Sequence, residues 1–136
     1  MTSLSTGNWT VSPQYQRGLD LLNRRIYFDA HELLEDVWRE IKGHDRHFVQ
    51  GLIQVAVAFH HHSRGNLAGA LSLLKRAAAN LAPYPSPFGN VQTDSLRAAI
   101  SAWREALENC GPEPPPLEIR QVSSPLSLSR MLESAD

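Results

Sequence analysis

The chain has 136 residues, a length typical of a single domain, and its 13 Lys and Arg nearly balance its 14 Asp and Glu. The formal net charge of −1 predicts neither a nucleic-acid nor a membrane-surface partner, because both require a basic patch. The longest apolar run, 55–59, is far shorter than the ~20 residues of a membrane span. The single cysteine, Cys110, excludes an intrachain disulfide and favours a cytoplasmic location.

Capping residues and helical spacing predict the first two helices. Ser12 is expected to cap a first helix over 13–23, with proline at its first position. Asp29 followed by Glu32 predicts a capping box that opens a second helix, which Gly43 ends.

The third and fourth helices are predicted to form an antiparallel hairpin. Asp45 is expected to cap a third helix that runs to about Arg64. Gly65 then supplies a left-handed stop and Asn66 caps the fourth helix, so that the joint between the two helices is tight.

Prolines divide the remainder of the chain. Those in 83–87 predict an extended connection, after which Thr93 or Asp94 caps a fifth helix. The sequence therefore predicts an all-α fold, a single compact bundle of about five helices over 12–110. A Pro/Ser-rich, weakly ordered tail is expected over 111–136.

The second helix carries the unusual chemistry. His31 lies at the edge of its apolar stripe, beside Trp38, and Glu35 follows one turn later, within reach of an i,i+4 contact. Both side chains are expected to be half-buried, whereas Glu32 lies further round, toward solvent.

Three interpretations of the His31–Glu35 pair remain open. The pair can be a structural hydrogen bond, because buried polar groups are normally paired for stability alone. It can instead hold a divalent metal ion such as zinc, iron or manganese, or act in general acid–base catalysis. The zinc-protease signature is absent, since it requires histidine at position 35, and the Glu-x-x-His motif of di-iron bundles runs in the opposite order.

The third helix is nearly apolar all round except for a narrow polar strip formed by Gln50, Gln54 and His61. Because this helix is expected to lie at the centre of the domain, the strip is predicted to meet His31 and Glu35. The result would be a polar pocket between helices two and three, with His31, Glu35 and His61 as candidate metal ligands.

Other aromatic and imidazole side chains need a separate interpretation. The members of the run 60–62 point about 100° apart on a helix, so only one can join a given site, and His61 is predicted from its position. Tyr84 and Phe88 are expected to anchor the proline-rich connection onto the core, or else to contact a partner.

Two ordered blocks of the sequence match a familiar pattern over roughly 14–107. They comprise Tyr27-Phe28-Asp29-Ala30-His31-Glu32-Leu33-Leu34-Glu35-Asp36-Val37-Trp38, and then residues 48–56 with Arg64-Gly65-Asn66 and Gly69-Ala70. Together they resemble the bacterial and archaeal domain-of-unknown-function family 309. The resemblance implies a compact helical bundle and motif positions at His31, Glu32, Glu35 and Trp38, without an assigned activity. Either His60 or His61 matches the family's histidine at the end of the third helix.

The sequence supports two functional hypotheses and does not decide whether the protein is an enzyme. In the first, the polar pocket of this domain of unassigned activity binds a divalent metal ion or a small polar ligand. In the second, the domain is a non-catalytic interaction or homodimerisation module, in which His31 and Glu35 only stabilise the fold. Tyr84, Phe88 or the tail would then carry the contacts.

Overall fold

The computed structural model describes residues 8–122, and within that range it is all-α, as predicted. A short 3-10 turn, Asn8–Val11, precedes five helices. These are α1 (Pro13–Asn23), α2 (Tyr27–Glu40), α3 (Asp45–Ser63), α4 (Leu67–Leu81) and α5 (Thr93–Asn109). Among the described residues, no helix is long and apolar enough to cross a membrane.

Two of the predicted helix starts are confirmed. The Ser12 hydroxyl oxygen accepts from the Tyr15 backbone N–H at 3.2 Å, and the Asn66 side-chain oxygen accepts from the Gly69 N–H at 3.0 Å. Gly65 adopts a φ of +82°, a left-handed conformation that a residue with a Cβ rarely takes. The chain therefore reverses sharply there, and α3 and α4 form the predicted hairpin.

The predicted capping box of α2 is wrong. The helix begins at Tyr27, so Asp29 lies inside its first turn, and the residue at the N-cap, Ile26, makes no side-chain cap. The second helix also ends before Gly43, at Glu40. The helix therefore starts three residues earlier than the predicted cap at Asp29 implies, with two aromatic residues, Tyr27 and Phe28, in its first turn.

The predicted caps of α3 and α5 are also corrected. Asp45 is the first residue of α3, and its carboxylate accepts from the Trp9 indole N–H at 3.1 Å instead of capping the helix. Thr93 is the first residue of α5, and its buried hydroxyl donates to the Pro85 carbonyl at 2.6 Å. The two hydrogen bonds thus hold the segments that contain Trp9 and Pro85 against the bundle.

The core is built around α3, which packs against both α2 and α4. Nine of its side chains or glycine positions are buried: Phe48, Val49, Gly51, Leu52, Ile53, Val55, Ala56, Ala58 and Phe59. A Cβ on Gly51 would lie 2.8 Å from Leu81 Cγ, so this glycine allows α4 to approach α3 closely. The apolar pattern of α3 thus explains its central position.

Tyr84 and Phe88 are half-buried and pack on the ring of Phe48, with centroid distances of 5.4 and 4.9 Å. The Tyr84 hydroxyl donates to the His44 carbonyl. These contacts confirm the prediction that the two rings anchor the proline-rich connection to the core.

Part of the predicted tail lies against the bundle without forming a helix. Leu117 and Ile119 are only 5% and 2% exposed. The Asn23 amide makes two hydrogen bonds to the backbone of Ile119, donating at 3.0 Å and accepting at 2.7 Å. The core therefore includes side chains beyond residue 110. The domain boundary at residue 110 stays a prediction. Residues 123–136 of the predicted tail lie outside the described residues.

Candidate functional site

The His31–Glu35 pair lies on α2 at the predicted i,i+4 spacing. His31 Nε2 is 3.4 Å from Glu35 Oε2, while Arg39 Nη2 lies 3.0 Å from Glu35 Oε1. The His31 and Glu35 side chains are 24% and 37% exposed, so both groups stay in contact with water. Glu35 therefore has a cationic partner, Arg39, on the helix surface in addition to the imidazole.

The other two motif positions of α2 differ in their surroundings. Glu32 is exposed, as predicted from its phase on the helix. Trp38 is half-buried, and the Arg46 guanidinium stacks over its ring at 3.9 Å from the ring centroid. Among the described residues, the indole N–H of Trp38 and the Nε of Arg46 are buried without a hydrogen-bond partner.

The polar strip of α3 pairs with α4 and with the turn before it. The side-chain oxygen of Gln54 accepts from the Asn80 amide at 2.8 Å, and His61 Nδ1 is 3.3 Å from the Asn66 side-chain nitrogen. Gln50 is half-buried on the same strip. The hydrogen bonds of Gln54 and His61 thus join neither side chain to the His31–Glu35 pair.

His60 is the member of the histidine run that shares a cleft with His31. The Phe28 ring contacts both imidazoles, with a centroid distance of 5.8 Å to each. This smaller cleft has a volume of about 120 Å³ and is lined by Tyr27, Phe28, His31, Val57 and His60. The structure therefore brings the start of α2 together with the end of α3.

A larger cleft of about 720 Å³ adjoins the first and shares Tyr27, Phe28 and His60 with it. Its walls are aromatic: Tyr27 stacks on Phe59 at 5.7 Å, and Trp103 meets Phe59 edge-on at 5.1 Å. Aromatic side chains of α2, α3 and α5 thus line one open cleft.

Charged and polar groups lie at defined points of the larger cleft. His62 Nε2 is 2.6 Å from Glu113 Oε2, and the imidazole packs edge-on against Trp103 at 5.2 Å. Arg25 lines the same cleft. Burial raises the pKa of Tyr27, although the nearby Arg25 charge opposes the increase, so the phenol is neutral at physiological pH and available as a hydrogen-bond donor.

The ligand set predicted for a metal ion is not assembled in the described part of the chain. No three His, Cys, Asp or Glu side chains are grouped closely enough there to hold an ion. Of the three candidates, His31 and Glu35 are adjacent, while His61 is bonded to Asn66.

Three lining residues of the larger cleft were not among the predicted site residues: Phe28, Trp103 and Glu113. His60 and His62, which also line it, were considered as members of the histidine run, but His61 was preferred. The helical spacing of α3 could have indicated His60, because it follows Val57 by three residues and therefore lies on the same face of the helix. Trp103 and Glu113 carry no such signal, because only the tertiary fold brings them beside the end of α3.

Comparison with known proteins confirms the resemblance in the first half of the chain. Residues 15–73 match the family model described as "Domain of unknown function (DUF309)". The matched residues run from the third residue of α1 to the first half of α4, and they include His31 and His60. The description of this family names no function.

Two relatives are themselves uncharacterised. The chain is 50% identical over 52 residues to "Uncharacterized protein YpuF" of Bacillus subtilis (strain 168). The aligned residues make up 37% of this chain and 29% of that relative. Over 79 residues it is 32% identical to an "Uncharacterized protein" of Aquifex aeolicus (strain VF5), covering 57% of this chain and 24% of that one. The chain therefore matches less than a third of the length of either relative.

Proposed function

We propose that this protein is a ligand-binding domain and that a small molecule occupies the two adjoining clefts between the start of α2 and the end of α3. The observation that carries the proposal is the cleft of about 720 Å³ with aromatic walls and a few convergent polar groups. Pockets for small molecules usually have volumes of about 300–1,000 Å³ and this mixture of linings.

The lining defines the chemical class of the ligand. Phe59 and Trp103 offer ring surfaces to a flat apolar group. Arg25 and His60 line the same space and provide donors for an anionic group such as a carboxylate or phosphate. We therefore propose a ligand that combines an aromatic ring with an acidic group.

The proposal also gives a role to His31 and Glu35 of α2. His31 lines the smaller cleft, and Glu35 lies on the side of its imidazole that carries Nε2. A carboxylate beside one ring nitrogen favours that orientation of the imidazole and leaves the other nitrogen for a ligand. Glu35 is thus a positioning residue for His31.

The metal hypothesis has less support than an organic ligand, because the described residues offer no group of three ligating side chains. The interaction hypothesis keeps the tail as a predicted carrier but loses Tyr84 and Phe88, which pack on Phe48. It gains an exposed ring instead, because Phe28 is 52% exposed at the rim of both clefts.

Calorimetric titration with phenyl phosphate tests the proposal, with inorganic phosphate, phenol and zinc chloride as separate titrants. We expect phenyl phosphate to bind more tightly than phosphate or phenol, because only it contacts both the aromatic rings and the hydrogen-bond donors of Arg25 and His60. His60→Gln should weaken this binding roughly tenfold or more through the loss of a charge-assisted hydrogen bond.

The matched control is His47→Gln, which changes an exposed histidine at the opposite end of α3 and should leave the affinity unchanged. Circular dichroism verifies that both variants fold. Equal binding by the two variants, or no heat from phenyl phosphate at millimolar concentration, would contradict the proposal. Binding of zinc alone would support the metal hypothesis in its place.

A further inference from the structure

Glu113 and His62 meet in the larger cleft although they are far apart in the sequence. His62 Nε2 lies 2.6 Å from Glu113 Oε2, and both side chains line the cleft. Because a carboxylate only accepts, Nε2 carries the hydrogen and donates it. The two residues are 51 positions apart, so helix geometry does not impose their contact as it does that of His31 with Glu35. An imidazole of this cleft thus already holds a carboxylate oxygen.

The two partners differ in how firmly they are held. The His62 side chain is 23% exposed, and its ring packs edge-on against Phe59 and Trp103, at 6.1 and 5.2 Å. The Glu113 side chain is 53% exposed. A pair with one partner so accessible is weak, because water solvates the carboxylate almost as well as the imidazole does. The imidazole therefore stays in place when the carboxylate turns toward solvent.

The main chain on both sides of Glu113 is held independently of its side chain. The Gly111 N–H donates to the Ala106 carbonyl at 3.0 Å, and the Trp103 indole N–H donates to the Pro115 carbonyl at 3.2 Å. The carboxylate is thus tethered close to the His62 imidazole, and tethering gives it a high effective concentration there. A group held in this way competes with any dissolved anion for the same N–H.

We propose that Glu113 is an internal competitor for the acidic group of the ligand and that His62 is the donor for which the two compete. This inference rests on the proposed function, since it requires an acidic ligand in the cleft. Carboxylate and phosphate oxygens both accept from an imidazole N–H, so the acid of the ligand takes the position of Glu113 Oε2. The Glu113 side chain then turns outward, while its main chain stays in place. Glu113 thereby lowers the affinity for acids and leaves that for neutral aromatic molecules unchanged.

Calorimetric titration of the full-length chain with phenyl phosphate and, separately, with phenol tests this inference. Glu113→Gln keeps the size of the side chain and removes its charge. It should raise the affinity for phenyl phosphate about two- to fivefold, the range that an exposed ion pair allows, and should not change the affinity for phenol. The matched control is Glu118→Gln, which removes the same charge from an exposed residue of the same segment and should change neither affinity.

His62→Phe separates competition from repulsion at a distance. It keeps a ring beside Trp103 and removes the N–H for which the two acids compete. In this background, Glu113→Gln should no longer raise the affinity for phenyl phosphate. Thermal melting followed by circular dichroism verifies that each variant folds.

The outcomes distinguish this inference from the proposed function. Equal affinities of the unchanged chain and Glu113→Gln for phenyl phosphate would overturn the inference and leave the proposed function intact. A gain that persists in the His62→Phe background would do the same. Failure of the unchanged chain and of every variant to bind phenyl phosphate would overturn both.

Discussion

Replacing Glu35 with glutamine should cost this protein little stability, despite the prominence of the residue in the sequence. The carboxylate has two i,i+4 partners, His31 at 3.4 Å and Arg39 at 3.0 Å, and all three side chains are in contact with water. Exposed i,i+4 pairs contribute about 0.3–0.5 kcal/mol each, and the histidine pair contributes only when the imidazole is protonated. We therefore expect Glu35→Gln to lower the unfolding free energy by less than about 1 kcal/mol at pH 7.

Urea unfolding followed by circular dichroism measures this difference, and Arg39→Gln with the double variant completes a mutant cycle. The coupling energy between positions 35 and 39 should be about 0.5 kcal/mol or less and should fall with added salt. A loss above about 2 kcal/mol for Glu35→Gln would refute this reasoning, since a loss of that size is typical of a buried, hydrogen-bonded carboxylate.

Two further predictions concern the core. Gly51→Ala should lower the unfolding free energy by about 1–3 kcal/mol, because the added methyl group overpacks against Leu81. The control, Gly111→Ala, adds its methyl group to open space and should change the unfolding free energy by less than about 0.5 kcal/mol. Equal effects of the two substitutions in urea unfolding would contradict this prediction. Burial raises the pKa of Tyr15, whose hydroxyl donates to the Gly89 carbonyl at 2.5 Å. The unfolded phenol ionises near pH 10 while the folded one stays neutral, so stability should fall above pH 10 by up to about 1.4 kcal/mol per pH unit. Tyr15→Phe should reduce that slope in alkaline unfolding, and an unchanged slope would contradict it.

The helices were predictable because their signals are local. Ser12-Pro13 at the start of α1 and Gly65-Asn66 between α3 and α4 act through hydrogen bonds and dihedral angles within a few residues. The capping box at Asp29 failed because packing of an aromatic first turn outweighed a polar pattern that is also compatible with a helix interior.

The site was less predictable than the fold. The i,i+4 contact of His31 with Glu35 follows from helix geometry alone, and it is present. The partners expected on α3 depend on which face of that helix meets α2, and an almost uniformly apolar helix gives little phase information. Gln54 consequently pairs with Asn80 of α4, while His60 shares the cleft with His31.

The cleft across α2, α3 and α5 depends on contacts that have no sequence signature. Trp103 and Glu113 lie more than forty residues from the histidine run, and a prediction of a weakly ordered tail gives Glu113 no position. The buried side chains of Leu117 and Ile119 hold that segment against the bundle. Apolar residues in a proline-rich segment were the available signal, but such composition is equally common in unpacked chains.

The most direct test of the ligand-binding proposal is a titration with phenyl phosphate in which each histidine side chain is followed by ¹H–¹⁵N NMR. Ligand binding in the clefts should cause saturable shifts at His31 and His60, which line them, and none at His44 or His47, which are exposed near the start of α3. Shifts of similar size at all of these histidines, or shifts confined to His44 and His47, would contradict it.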